Sequence, residues 1–444
     1  MKLKRIDGSV VAPKGFRAAG VFCDIKRLGT GKGSNKGNKR DLALIVSDTP
    51  AAVAGMFTTN QVCAAPVKVC VERVKKKVAQ AVVVNSGNAN ACTGAQGLRD
   101  AREMVRFAER ALDLPAGSAL VGSTGRIGVA MPMDEVRAGI VEAGVALGST
   151  RAHAAGAAEA ILTSDTHPKQ IAVEFRLDGT RVRIGGICKG AGMIQPGMSA
   201  SGKRPAALPL HATMLCFLTT DAAVEANALQ AALEKAVAQS FNRITVDGDM
   251  STNDTVLVLA NGLAGNPPIA AAGARKRPGA ADPFQAGLDH VCLELAKMVV
   301  RDGEGASRFV TVRVRGARSA ADADAAARAV ANSALVKTSW HGGDPNWGRI
   351  IDALGYSAAR IVEEKVDIGY SATGGRQVLW SLKRGQPTRA TFRQLCAAVA
   401  PKEFDLHIHL NVGSAHALVY AADLTEDYVD FNKGDVSDPA SLGG

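Results

Sequence analysis

The sequence predicts a layered sandwich of mixed β-sheets and α-helices. Short apolar runs rich in β-branched residues alternate with amphipathic helical stretches, and no long repeat interrupts them. Two of the runs, "IAVEF" (171–175) and "RVRIG" (181–185), are spaced as a hairpin. Hairpins mixed with helices argue for stacked layers rather than a doubly wound parallel sheet.

In chain order, "LALIVS" (42–47), "VKVCV" (67–71) and "AVVVN" (81–85) read as strands. The stretch 98–114 places Ala101, Met104, Val105, Ala108 and Leu112 on one helical face. The stretch 134–147 does the same with Val136, Ile140 and Val141. A helix over 223–241 follows, with Asp221 as its expected cap. "DTVLVLA" (254–260) is a strand and 283–303 a long helix. "FVTVRV" (309–314) is a strand leading into a helix over 319–333. "FDLHIHLNV" (404–412) and "HALVYAA" (416–422) are expected to close the chain as a strand pair.

A chain of 444 residues accommodates about two domains or one large duplicated one. Aromatics are scarce at 4%, so the core must be built from Val, Ile, Leu and Ala. No apolar run reaches membrane-spanning length. The start, "MKLKRIDGSVVAPKG", lacks the apolar stretch of a signal peptide. A soluble, cytoplasmic protein is expected. The eight cysteines form no C-x-x-C pair, so they read as reduced, mostly buried thiols and not as a zinc site or disulfide framework.

The net charge of +11 raises the question of nucleic acid. Much of the excess lies in "KRLGTGKGSNKGNKR" (26–40) and "GARKRPGAADP" (273–283), which lack interleaved aromatics and read as solvated loops. The first also fails the spacing of a phosphate-binding loop. Neither a nucleic-acid partner nor a membrane is expected. His407 and His409 alternate on one strand face and, without a third ligand, read as sheet histidines rather than a metal pair.

Two features carry chemistry. The glycines of "GSTGRIG" (122–128) let backbone N–H groups converge on an anion or oxyanion. Thr213 opens an apolar strand directly after Ala212, behind the glycine-rich "KGAGMIQPGM". A threonine hydroxyl needs a base beside it. Cleavage of the Ala212–Thr213 bond would supply one on the same residue, because a freed α-amine titrates at ~7.7–8.0. Without that cleavage, Thr213 reads as an ordinary strand threonine.

Longer motifs run nearly end to end. They are "MFTTNQVCAAPV" (56–67), "VVNSGNANACTG" (83–94), "STGRIG" (123–128), "ILTSDTHPK" (161–169) and "ICKGAGMIQPGM" (187–198). "ATMLCFLTTDA" (212–222), "SFNRITVDGDMSTNDTV" (240–256), "RDGEGAS" (301–307), "KTSWHGGDPNWGRI" (337–350) and "DLTEDYVDFN" (423–432) complete the set. With these, the chain resembles the ornithine acetyltransferase family, also described as bifunctional glutamate N-acetyltransferases of arginine biosynthesis.

The resemblance implies an αββα sandwich of the self-cleaving, N-terminal-nucleophile type. Chains 1–212 and 213–444 would stay associated as a heterotetramer of two each. Thr213 would attack the acetyl carbonyl of N-acetylornithine, and glutamate would then take the acetyl group from the acyl-threonine. Acetyl-coenzyme A is a further donor that the resemblance leaves open. Thr124 and Gly125 match the oxyanion hole. Thr163, Lys189, Glu304, Asn432 and Ser437 match substrate contacts, with Lys189 suited to a carboxylate and Glu304 to the side-chain amine. No metal and no bound cofactor are implied. The competing reading on a related scaffold is an amidohydrolase or aminopeptidase in which water accepts the acyl group.

The chain departs from the family in four places. "SASGKRPAALPLH" (199–211) is inserted before the threonine motif. Arg126 stands where a small apolar residue is expected, and the basic 26–40 stretch and the proline-rich 265–283 stretch are extra.

Overall fold

The computed structural model describes residues 3–26, 39–203, 214–270 and 282–433. Ala212, Thr213 and Ser437 lie outside the described residues, as do 27–38 of the first basic stretch and 273–281 of the second.

Strands β1 (Lys4–Ile6), β2 (Phe16–Val21), β3 (Leu42–Thr58), β4 (Val78–Asn88), β5 (Ala119–Arg126), β6 (Lys169–Leu177), β7 (Thr180–Lys189), β8 (Met198–Ser199) and β9 (Leu215–Thr220) belong to one sheet. β10 (Ile244–Thr245) joins a second sheet, whereas β11 (Thr255–Ala260) returns to the first. The second sheet continues with β12 (Phe309–Ala317), β13 (Asp367–Ala372), β14 (Leu379–Lys383), β15 (Gln386–Pro387), β16 (Glu403–His409) and β17 (Ala415–Ala422). The helices are α1 (Ala65–Val74), α2 (Gly94–Ala111), α3 (Met133–Val145), α4 (Arg151–Ala160), α5 (Ala226–Gln239), α6 (Pro283–Arg301), α7 (Ala320–Asn332), α8 (Ala334–His341), α9 (Trp347–Gly355), α10 (Phe392–Val399) and α11 (Glu426–Phe431).

The first sheet runs β1-β6-β7-β9-β11-β3-β4-β5, with β2 and β8 also on β3. β3 changes partners at an irregularity between Val46 and Ala51. Its first part pairs with β2 and β4; its second pairs with β11 and β8 and keeps β4 only at Ala51 and Ala52. The sheet thereby doubles over, and its halves face each other. Phe217 on β9 reaches Gly122 on β5, where an added Cβ would stand 2.9 Å from the ring. Burying that phenyl ring contributes about 2 kcal/mol. Helices α1 to α4 cover the outside of the half around β2 to β5. Helices α5 and α6 cover the outside of the other half. Strand alternation turns Leu215 and Phe217 inward and Cys216 and Leu218 out toward α5 and α6. This is the expected αββα layering.

The second sheet, β10-β17-β12-β16-β13-β14-β15, packs α7, α9 and α10 over one face. Its other face meets α6, where Phe309 and Tyr420 stack under the cations of Arg301 and Lys297. No helix among the described residues is long and apolar enough to cross a membrane.

Several expected elements differ. Residues 67–71 are helix and not strand: Pro66 starts α1, and burial of Val67, Val69 and Cys70 overrides their β preference. Asp221 does not cap α5, whose N-cap is Glu225. The Asp221 carboxylate instead accepts the backbone N–H groups of Lys14 at 3.1 Å and Arg183 at 2.8 Å. β16 and β17 do not pair with each other, because β12 lies between them, parallel to β16 and antiparallel to β17. Of the eight thiols only Cys70, Cys188, Cys216 and Cys292 are buried, and Cys92 is exposed. His407 and His409 are sheet histidines, one 2.8 Å from the Ser371 hydroxyl and the other against Trp380.

Candidate active site

β9 starts the site. Its first residue, Leu215, pairs with Lys189 at the end of β7. Met214, one residue earlier and covalently next to Thr213, is fully buried. The Met214 N–H donates to Asp254 Oδ1, and the Met214 carbonyl accepts from Thr255 at 3.0 Å. Asp254 is itself buried, and burial pushes its carboxyl well above the usual range, against the N–H groups of Met214 and Ser251 and the charge of Lys189. Among the described residues its Oδ2 has no hydrogen-bond partner.

The residue before Asp254 ties this point to the glycine-rich segment. Asn253 donates from Nδ2 to the carbonyls of Ala89 at 2.7 Å and Ser123 at 2.8 Å. Thr124 and Gly125 follow directly, at the end of β5 beside Ser86 and Gly87 of β4. Thr124 is buried. Gly125 has φ +131°, and a Cβ there would fall 2.3 Å from the Gly87 carbonyl carbon. Only glycine lets the two backbones approach so closely. Thr124 and Gly125 thus stand two hydrogen-bonded links from the residue that follows Thr213.

The segment "KGAGMI" (189–194) carries the rest. Lys189 is buried and stands 3.8 Å from Asp165 Oδ2. Asp165 also accepts the N–H groups of Gly190 at 2.7 Å and Thr163 at 3.1 Å. Burial alone would raise its pKa, but Lys169 and Lys189 hold the carboxyl below the usual range. Two residues on, the Ala191 carbonyl accepts the Glu304 N–H at 2.9 Å. A Cβ on Gly192 would fall 2.4 Å from the Glu304 carboxylate. Glu304 Oε2 accepts the Asn432 side-chain amide at 2.9 Å. Next, Met193 and Ile194 donate to Asp247 at 2.6 and 2.8 Å. Burial raises the Asp247 carboxyl to about 6. One short segment therefore runs from a cation at Lys189 to an anion at Glu304.

A cavity of ≈ 530 Å³ is lined by Thr163, Asp165 and Thr166 together with Lys26, Lys39 and Arg40. Burial lowers the Lys26 ammonium to about 8, and it donates to the Arg40 carbonyl at 2.8 Å.

The structure gathers Thr163, Lys189, Glu304 and Asn432 around one segment, and links Thr124 and Gly125 to the start of β9. Sequence reading missed Asn253, Asp254, Asp165, Lys169, Asp302 and Asp247. All six sit inside the long motifs, but only the packing reveals that Asn253, Asp254, Asp165, Asp302 and Asp247 each hold backbone groups, and that Lys169 pairs with the carboxylates of Asp165 and Asp302.

The family model described as ArgJ family matches residues 17–434. The chain belongs to the ArgJ family. A similar member is the arginine biosynthesis bifunctional protein ArgJ of Symbiobacterium thermophilum, 47% identical over 425 residues, which are 96% of this chain and 98% of that one. A glutamate N-acetyltransferase of Methanocaldococcus jannaschii is 41% identical over 435 residues, 97% of this chain and 99% of that one. A solved structure of the ArgJ protein of Bacillus halodurans is 38% identical and covers 45% of this chain and 98% of its own, with a TM-score of 0.41. Membership in the ArgJ family accords with the motif resemblance over nearly the whole chain.

Proposed function

We propose that this chain transfers the acetyl group of N-acetylornithine to glutamate through an acetyl-threonine on Thr213. It is an acetyltransferase of arginine biosynthesis, as its relatives' names indicate. Cleavage between Ala212 and Thr213 frees the α-amine of Thr213, which takes the hydroxyl proton as Oγ1 attacks the acetyl carbonyl. The tetrahedral oxyanion is held by Thr124 and by the Gly125 N–H. The same amine, now protonated, returns its proton to the leaving nitrogen of ornithine. Glutamate then attacks the ester and regenerates the threonine.

Lys189 holds the substrate carboxylate as a point charge, and Glu304 the side-chain ammonium. Thr163, Asn432 and Ser437 complete the contacts. The products 1–212 and 213–444 remain together and assemble as two of each, in the cytoplasm. The single observation that carries this reading is the "KGAGMI" segment, with its buried cation at one end and Glu304 near the other. That spacing of opposite charges suits an α-amino acid with a basic side chain.

The test is intact mass together with acceptor dependence. The purified protein should yield two polypeptides, the second starting at Thr213, and release ornithine fast only when glutamate is supplied. Thr213→Ala should stay one chain and be inactive. Ornithine release at an equal rate without glutamate would favour a hydrolase, and an intact, fully active wild type would remove Thr213 as nucleophile.

A further inference from the structure

Lys169 opens β6 with its side chain fully buried. Its ammonium lies 2.6 Å from Asp165 Oδ1 and donates on its other side to Asp302 Oδ2. Burial alone would lower its pKa, but the two carboxylates more than offset this and raise it. Asp302 also accepts the N–H of Thr166 at 3.1 Å and its hydroxyl, and meets His167 Nδ1 at 3.1 Å. Lys189 approaches the same Asp165, but at 3.8 Å it is held by charge and not by a hydrogen bond. Two lysines and two aspartates thus form a buried, neutral quartet, and Asp165 is already satisfied by Lys169, Gly190 and Thr163.

We propose that Lys169 is a positioning residue: as the internal counter-cation of Asp165, it keeps the Lys189 ammonium available to the substrate carboxylate. This rests on the reading of Lys189 given above. A buried carboxylate that loses its partner must take up a proton or draw in another cation, and Lys189 already stands 3.8 Å away. Without Lys169, the ion pair left to Asp165 among the described residues is Lys189. Its flexible stem needs to close only ~1 Å to make a direct hydrogen bond. Lys189 would then be spent inside the protein, and substrate would have to displace Asp165. Lys169 touches no substrate in this scheme and acts only through its neighbours.

The test is steady-state kinetics with N-acetylornithine and glutamate. Lys189→Met is measured first. If its KM does not rise, the reading of Lys189 fails and takes this inference with it. Lys169→Met should raise KM by about tenfold while kcat stays within about threefold. The double variant Lys169→Met/Asp165→Asn removes the competing anion as well, and should return KM to within about threefold of the wild type. A merely structural Lys169 predicts the reverse, with the second substitution adding to the damage. The inference is overturned by an unchanged KM in Lys169→Met alongside a raised KM in Lys189→Met, or by a double variant worse than the single. Should Lys169→Met fail to fold, the charge-balanced double variant decides. A KM near wild type supports the inference, and a KM as high as that of Lys189→Met, or an unfolded double variant, overturns it.

Discussion

Asn253 donates its side-chain amide to the carbonyl of Ser123 at 2.8 Å, tying the start of β11 to the end of β5. The same nitrogen bonds the Ala89 carbonyl, so one residue joins three segments of the site.

Asn253→Ala should therefore loosen the Thr124–Gly125 segment relative to Met214. Two buried carbonyls lose their donor, at a cost of about 2–3 kcal/mol. We expect a lower unfolding midpoint in denaturant and a kcat loss larger than the KM change. An unchanged kcat would show that this link does not hold the catalytic geometry.

Thr124→Val keeps the shape of the side chain and removes its hydroxyl. If Thr124 donates to the oxyanion, the rate should fall by about 10²–10³ with little loss of stability. The check is kcat beside a thermal melt, and near-normal turnover would take Thr124 out of the oxyanion hole.

Gly125→Ala should be worse for folding than for its size. The added methyl meets the Gly87 carbonyl carbon at 2.3 Å, and the backbone holds φ +131°. Strain of about 1–3 kcal/mol is expected, and the β4–β5 contact must open. Soluble, wild-type-like melting would mean that the segment is more yielding than its close approach implies.

Asp247 predicts a pH effect. Burial raises its carboxyl to about 6, so the folded protein binds this proton more tightly than the unfolded chain. Its contribution is therefore fully present below the unfolded value, ~3.9, and is lost as pH rises through about 6. Asp247→Asn has no such charge to bury. The stability of the variant relative to wild type should shift in the variant's favour between pH 5 and pH 8, by about 1.4 kcal/mol. Denaturant titrations of both proteins at the two pH values decide it, and a constant difference would place the carboxyl's titration elsewhere.

Periodicity made the long elements legible. α2 and α3 bury the faces that the spacing assigns, apart from Val141 of α3, which is exposed, and Leu112, which follows α2. The β6–β7 hairpin pairs as expected. Local preference failed where tertiary contact decides. Val67 and Val69 are good strand residues, but they serve a helix covering β3 and β5. The neighbours β16 and β17 could not be known to admit β12 between them. In the site, the motifs delivered Lys189 and Glu304 but not Lys169. A lysine in sequence reads as a solvated charge, and only the fold shows that Asp165 and Asp302 enclose it.

The strand order carries one more consequence. β9 and β11, which follow Thr213, lie between β7 and β3, which precede it. A nick before Thr213 would thus leave the later piece woven into the earlier one, hydrogen-bonded on both flanks. Salt or dilution should not part them, and only denaturant should. Produced alone, each would expose raw strand edges where the other belongs, and would be prone to aggregate.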